Sequence, residues 1–202
     1  MKKGILLVLS CVWLSLSAQN YQTGDLLFQN LDCGEICDAI EAVTTGYQDQ
    51  KFSHIGLVYV HKDSVFVIEA IGNDVHLTSI VDFLERSDNP VVQAKLKPEY
   101  QKLVPKAVQF ALDQQGKPYD EPFLYNNGKY YCSELIYDAF AFANNGKPFF
   151  QLEPMTFKKP GSEEYFPVWV TYYRKLKMPI PEGKPGINPG GISRSDKIRI
   201  ME

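Results

Sequence analysis

Apolar positions recur along this chain with two different periods, and the change from one to the other divides it into strands and helices. Residues 54–60 and 64–71 are rich in β-branched and aromatic side chains, with His61-Lys62-Asp63 between them, which predicts a β-hairpin. Gly72-Asn73-Asp74 then turns into a third strand over 75–80, and shorter strand signals lie at 24–29 and 91–96. The helical period governs 33–46, where Ile36, Ile40 and Val43 share a face before Gly46, and a short helix is predicted over 81–87. Over 99–115 the residues Val104, Ala107, Val108, Ala111 and Leu112 form one stripe, with Pro105 tolerable in the first turn and Gly116 as the stop. A further helix starts at Cys132 and carries Leu135, Ile136, Ala139, Phe140 and Ala143 on one side. The aromatic run 165–173 reads as a strand or packing segment, and the Pro- and Gly-rich stretch 179–195 as an extended tail hugging the surface. The expectation is an α+β fold, an antiparallel sheet packed against helices, in a single domain over 22–202 with that tail at its end.

Composition narrows the function classes. A chain of 202 residues with 45% hydrophobic content can bury one substantial core, which argues against disorder. The net charge of -3 and the lack of a basic stripe argue against nucleic acid as a partner.

Residues 1–18 have a basic start at Lys2 and Lys3, an apolar run through Leu14, and small residues near Ala18. That is the pattern of a secretory signal, and it predicts export to the periplasm or the extracellular space. The alternative is a lipid anchor at Cys11, preceded by Val8-Leu9-Ser10, although the apolar run continues past it. No later segment has the length and apolarity of a membrane span. Removing the signal leaves Cys33, Cys37 and Cys132, an odd count that leaves one cysteine unpaired or bonded to another chain in an oxidising compartment. Cys33 and Cys37, four apart, are the natural couple, which leaves Cys132 as a free thiol. Three reduced cysteines, with Cys132 a small buried hydrophobe, is the bland alternative. A zinc site from the first pair lacks a second ligand pair with finger-like spacing, and no metal or cofactor is expected.

The candidate chemistry is a thiol nucleophile with a base and an orienting acid: Cys132, His54 and Glu69. A hairpin loop of two or four residues makes opposed residue numbers sum to 125, which puts Glu69 on the face of His54 as its diagonal neighbour. A three-residue loop would turn Glu69 away. Each residue also has an ordinary reading. His54 could be a satisfied half-buried histidine, and Glu69 the outward polar half of an alternating strand. Glu134 suits the first turn of a helix through its dipole, and Ser133 is a competing nucleophile that needs more activation than a thiol.

These motifs, in order Gly24-Asp25-Leu26-Leu27-Phe28, Ser53-His54-Ile55-Gly56-Leu57-Val58, Ile68-Glu69-Ala70, Gly116-Lys117-Pro118-Tyr119-Asp120 and Tyr131-Cys132-Ser133-Glu134-Leu135, resemble the circularly permuted NlpC/P60 cysteine peptidases of the YiiX/YaeF type. The similarity runs from about residue 22 into the tail, through Pro181-Glu182-Gly183 and Ile192-Ser193. In ordinary members of the superfamily the cysteine helix comes first; here it follows the histidine strand, as in the permuted group. The resemblance implies a permuted papain-like fold, with Cys132 as nucleophile, His54 as base and Glu69 as the orienting residue. It also implies an oxyanion or substrate-binding place for Tyr131, Tyr130 and Tyr119. The activity implied is cleavage of an amide in a peptide or small acyl compound, with bacterial cell-wall peptides as one substrate class. Permuted relatives that transfer lipid acyl groups supply the alternative reading, and a non-catalytic peptide- or lipid-binding module is the third.

Overall fold

The structure, a computed structural model, describes residues 21–201, so the signal pattern and Cys11 lie outside the described residues. A six-stranded sheet and six helices are built along the chain. The elements run β1 (Leu26–Gln29), α1 (Glu35–Val43), β2 (His54–His61), β3 (Ser64–Ile71), β4 (Asp74–Ser79), α2 (Ile80–Glu85), β5 (Val92–Leu96), α3 (Val104–Asp113) and α4 (Cys132–Ala143). After them come β6 (Glu153–Pro154), α5 (Pro167–Leu176), β7 (Pro185–Gly186), α6 (Pro189–Ser193) and β8 (Ile198–Ile200). The large sheet has the order β4-β3-β2-β1-β5-β8 with every neighbour antiparallel, and β6 and β7 pair separately.

Alternation along the strands splits the buried residues between the two sheet faces. Leu26, Phe28, Ile55, Leu57, Ile68 and Ala94 join the main core, which α3 and α4 complete with Ala107, Ala111, Leu135, Ile136 and Phe140. The residues of opposite parity, Leu27, Val58 and Val67, gather around Phe83 of α2. A third cluster holds α5 against α1 through Ala39, Phe157, Trp169 and Tyr173. Burial of large side chains at these places, at about 25 cal/mol per Å² of apolar area, is what fixes the helices on the sheet.

Four sequence expectations are corrected. The helix expected over 99–115 is a 3-10 turn over Pro98–Leu103 followed by α3, with Pro105 in its first turn. The aromatic run is not a strand: α5 begins at Pro167 and buries Trp169 and Tyr173, one helical turn apart. The tail does not merely hug the surface. Ile187, Ile192 and Ser193 are buried, and β8 adds an edge strand by pairing Leu96 with Ile198 and Ala94 with Ile200. The apolar residues there are too sparse for a period, so their burial is set by the surface they meet. The helix expected over 33–46 is shorter, ending at Val43 before Thr44 turns extended.

Candidate active site

The hairpin loop contains two residues, since His61 pairs with Ser64, and the register Leu57 with Ile68 and Val58 with Val67 keeps the sum at 125. His54 and Glu69 therefore share the face that carries Val58, Val67 and Phe83. Both are buried: Glu69 is 0% exposed and His54 3%. His54 is the first residue of β2. Its Nε2 lies 2.5 Å from Glu69 Oε2. Cys132 is near enough to raise the His54 pKa, and with Nε2 on Glu69 the ring nitrogen left over for the sulfur is Nδ1.

Glu69 has both oxygens filled. Arg86 grips it with a two-pronged guanidinium, Nη1 donating to Oε2 at 2.8 Å and Nη2 to Oε1 at 2.6 Å. Thr78 Oγ1 donates to Oε1 at 2.5 Å. Burial pushes the Glu69 carboxyl up, but the bonds from Arg86, His54 and Thr78 overcome it and hold it down at about 2. It is a carboxylate at any physiological pH. Burial likewise works against a charged His54, yet its bonds to Cys132 and Glu69 raise it to about 9. A protonated His54 thus has the Glu69 carboxylate on one side and Cys132 as its other neighbour.

Cys132 is buried, unpaired, and the first residue of α4. Tyr131 ahead of it is extended, so Cys132 stands at the helix N-terminus, where the first-turn N–H groups have no partner within the helix. Ser133, the competing hydroxyl, is committed elsewhere: it is 1% exposed and donates to the Ile187 carbonyl at 2.8 Å. Glu134 is buried in the same turn and accepts the Asn126 N–H at 2.9 Å; burial, with Asp120 and Asp138 nearby, raises its carboxyl to about 8. Cys33 and Cys37 form a disulfide with Cα atoms 5.3 Å apart at the start of α1.

The three tyrosines part company. Tyr119 and Tyr131 line the cavity that Cys132 lines, whereas Tyr130 stands outside that lining and faces Asp138. The Tyr131 hydroxyl accepts the Ile187 N–H at 3.2 Å, tying the segment around Ile187 to the start of α4. The Tyr119 hydroxyl is raised well above its ordinary value, by burial first and then by the charge of Cys132. Two residues escaped the sequence reading, Thr78 and Arg86. A signal for Thr78 existed: in the second hairpin opposed numbers sum to 145, as with Glu69 and His76, which puts Thr78 on the face of Glu69. For Arg86 there was none, because only the fold brings the end of α2 over β3. The residues present do not fit a metal centre. Among the described residues no group of three or more His, Cys, Asp or Glu side chains could hold an ion, and the Glu69 oxygens are already filled.

Comparison with known proteins agrees with this fold. The model of a family described as permuted papain-like amidase enzyme, YaeF/YiiX, C92 family, matches residues 20–201. The uncharacterized protein YiiX of Escherichia coli strain K12 is 28% identical over 145 residues, 69% of this chain and 67% of that protein. The crystal structure of a protein described as metalloprotein yiiX from Escherichia coli O157:H7 has a TM-score of 0.70 at 22% identity. The likeness covers 90% of this chain and 96% of that one and shows a shared fold.

Proposed function

Because this chain belongs to the permuted papain-like amidases of the YaeF/YiiX family, we propose that it is an exported thiol hydrolase that cleaves an amide bond through an acyl-enzyme on Cys132. The observation that carries this reading is a buried His54 bonded to an ionised Glu69 and interacting with an unpaired cysteine at a helix start. The Cys132 sulfur attacks the amide carbon, and the carbonyl oxygen takes up the negative charge beside the Cys132 N–H and the Tyr119 hydroxyl. The C–N bond breaks as His54 gives its proton to the departing nitrogen, leaving a thioester. Water then gives a proton back to His54 while its oxygen adds to the thioester carbon, and the C–S bond breaks to release the acid. Glu69 holds the ring with Nδ1 toward sulfur throughout, and Arg86 and Thr78 hold Glu69.

Export is supported by the signal pattern of residues 1–18 and by the Cys33–Cys37 disulfide, which suits an oxidising compartment. Among the described residues no helix is long and apolar enough to cross a membrane. The test is intact-mass detection of a covalent adduct after incubation with an electrophilic acyl probe. Replacing Cys132 with Ala abolishes the adduct if the reading is right; undiminished labelling refutes it.

A further inference from the structure

The connection 114–131 between α3 and α4 is long for a compact domain and contains no helix of its own, which is the usual mark of a functional loop. It is not loose. Its two arms meet in the bridge between Tyr119 and Tyr130, and its tip is drawn inward by buried acids. Asp120 accepts from the Leu124 N–H and the Asn127 side chain, while Glu134, in the first turn of α4, accepts the Asn126 N–H. These bonds secure the left-handed backbone of Phe123 and Asn126, at φ 55 and 64. The Phe123 ring packs on Tyr119, Tyr131 and Trp169, so the loop tip forms part of the wall of the cavity that Cys132 also lines.

Glu134 is the third residue of α4, two past the thiol, and the steps at Cys132 and His54 make no use of it. From that position a glutamate reaches back toward the N-cap, and the Tyr131 N–H does favour its charge. Its surroundings oppose that charge more strongly. Glu134 is 1% exposed, its Oε2 has no hydrogen-bond partner among the described residues, and it joins no ion pair there. The charged groups that face it are acids, Asp120 from the connection and Asp138 one turn on in α4, with Tyr125, Tyr130 and Tyr131 around them; the cation Lys129 acts on Asp120. Burial first, then Asp120 and Asp138, push the Glu134 carboxyl up to about 8, so it is neutral at neutral pH.

We infer that Glu134 is a positioning residue for Cys132: its uncharged side chain ties the tip of the 114–131 connection to the start of α4, and loss of its proton turns the thiol down. While neutral it holds Asn126 without adding charge. Once ionised it places a negative charge two residues from a sulfur that must itself turn negative to react, and it draws on the same first-turn N–H groups. It also repels Asp120, whose bonds hold Phe123 in the cavity wall. This role rests on the thiol reading of Cys132 and adds an alkaline limit to it.

The rate of Cys132 alkylation by iodoacetamide, followed from about pH 6 to above about pH 8 with Cys132→Ala as background, tests this role. Glu134→Ala leaves the Asn126 N–H without its acceptor and slows the reaction at every pH, and Glu134→Gln, which keeps an acceptor but cannot ionise, restores the wild-type rate at about pH 6. Above about pH 8 the wild type falls behind Glu134→Gln by about twofold to fivefold, the size of a charge effect at a helix end. A merely structural acid gives the opposite sign: a fold loosened by the ionising carboxyl exposes the buried thiol and speeds its alkylation as pH rises. A ratio of wild type to Glu134→Gln that is constant across the range, or a wild type that is the faster above about pH 8, overturns the inference, and neither outcome depends on Glu134→Ala folding. Divergence above about pH 8 in a protein whose Cys132 takes no adduct from the acyl probe keeps the positioning role and removes the hydrolase reading. A Cys132-dependent acyl adduct with a constant ratio does the reverse.

Discussion

Replacing Arg86 with methionine removes the two-pronged grip on Glu69 while keeping a side chain of similar length beside the Phe83 ring, over which the guanidinium now sits at 5.3 Å. Glu69 is fully buried and the Arg86 side chain only 25% exposed, so solvent screens this pair little. Burial drives the Glu69 carboxyl up, and its partners, Arg86 foremost, bring it from 4.5 down to about 2. A carboxyl held that far below its ordinary value adds on the order of 3 kcal/mol to folding at neutral pH. The sign follows from a depressed group: the contribution is complete above 4.5 and is lost as pH falls through about 2. Without Arg86 the foremost opponent of burial is gone and the carboxyl rises toward its unfolded value, so the variant loses up to about 3 kcal/mol at pH 7, in the range measured for breaking buried ion pairs. That deficit narrows as pH falls and closes near pH 2. Urea denaturation followed by tryptophan fluorescence, with Trp169 buried, reads it directly at a series of pH values. The rate of Cys132 alkylation by iodoacetamide should fall in the same variant, and fall further toward acid pH, where a released Glu69 takes up its proton and ceases to hold His54. A deficit under about 0.5 kcal/mol at pH 7, or one of the same size at every pH, refutes the role assigned to Arg86.

Gly56 stands two residues from His54, and a Cβ there would meet Val67 Cγ1 at 2.3 Å and Phe83 at 3.2 Å. Gly56→Ala therefore costs about 1–3 kcal/mol by overpacking and slows Cys132 alkylation by shifting β2 against β3; unchanged stability and reactivity would show that the strands have slack there. Glu134→Gln keeps an acceptor for the Asn126 N–H and removes a carboxyl that burial, then Asp120 and Asp138, raises to about 8. A raised acid weakens folding as pH climbs from 4.5 toward 8, because only the unfolded chain ionises freely. The variant should match the wild type near pH 4 and exceed it by on the order of 2 kcal/mol at pH 8, and parallel stability curves would contradict this.

The parts of the site that could be read from sequence are those set by strand parity and helix starts. His54 and Glu69 meet because a two-residue loop preserves the sum of 125, and Cys132 begins α4 because the apolar period resumes there. Thr78 was within reach of the same rule applied to the second hairpin. Arg86 was not, since nothing in residues 80–86 states where α2 will lie. The aromatic run 165–173 misled by its β-forming composition, although the spacing of Trp169 and Tyr173, with Pro167 just ahead, is that of a helix start. The segment after 179 carried no period at all. Its place is fixed by single long-range bonds: Ser133 Oγ donates to the Ile187 carbonyl, Ile187 N–H donates to the Tyr131 hydroxyl, and Tyr47 N–H donates to Ser193 Oγ. Those bonds bring Ile187, Ile192, Arg194 and Lys197 to the cavity beside Cys132. The candidate reacting groups thus sit on elements whose periods announce them, whereas part of the lining of the cavity beside Cys132 sits on irregular chain placed by tertiary contacts. A sequence of this kind declares its reaction class before it declares its substrate, and substitutions in the 187–197 segment should alter which amide is bound while leaving the reactivity of the thiol intact.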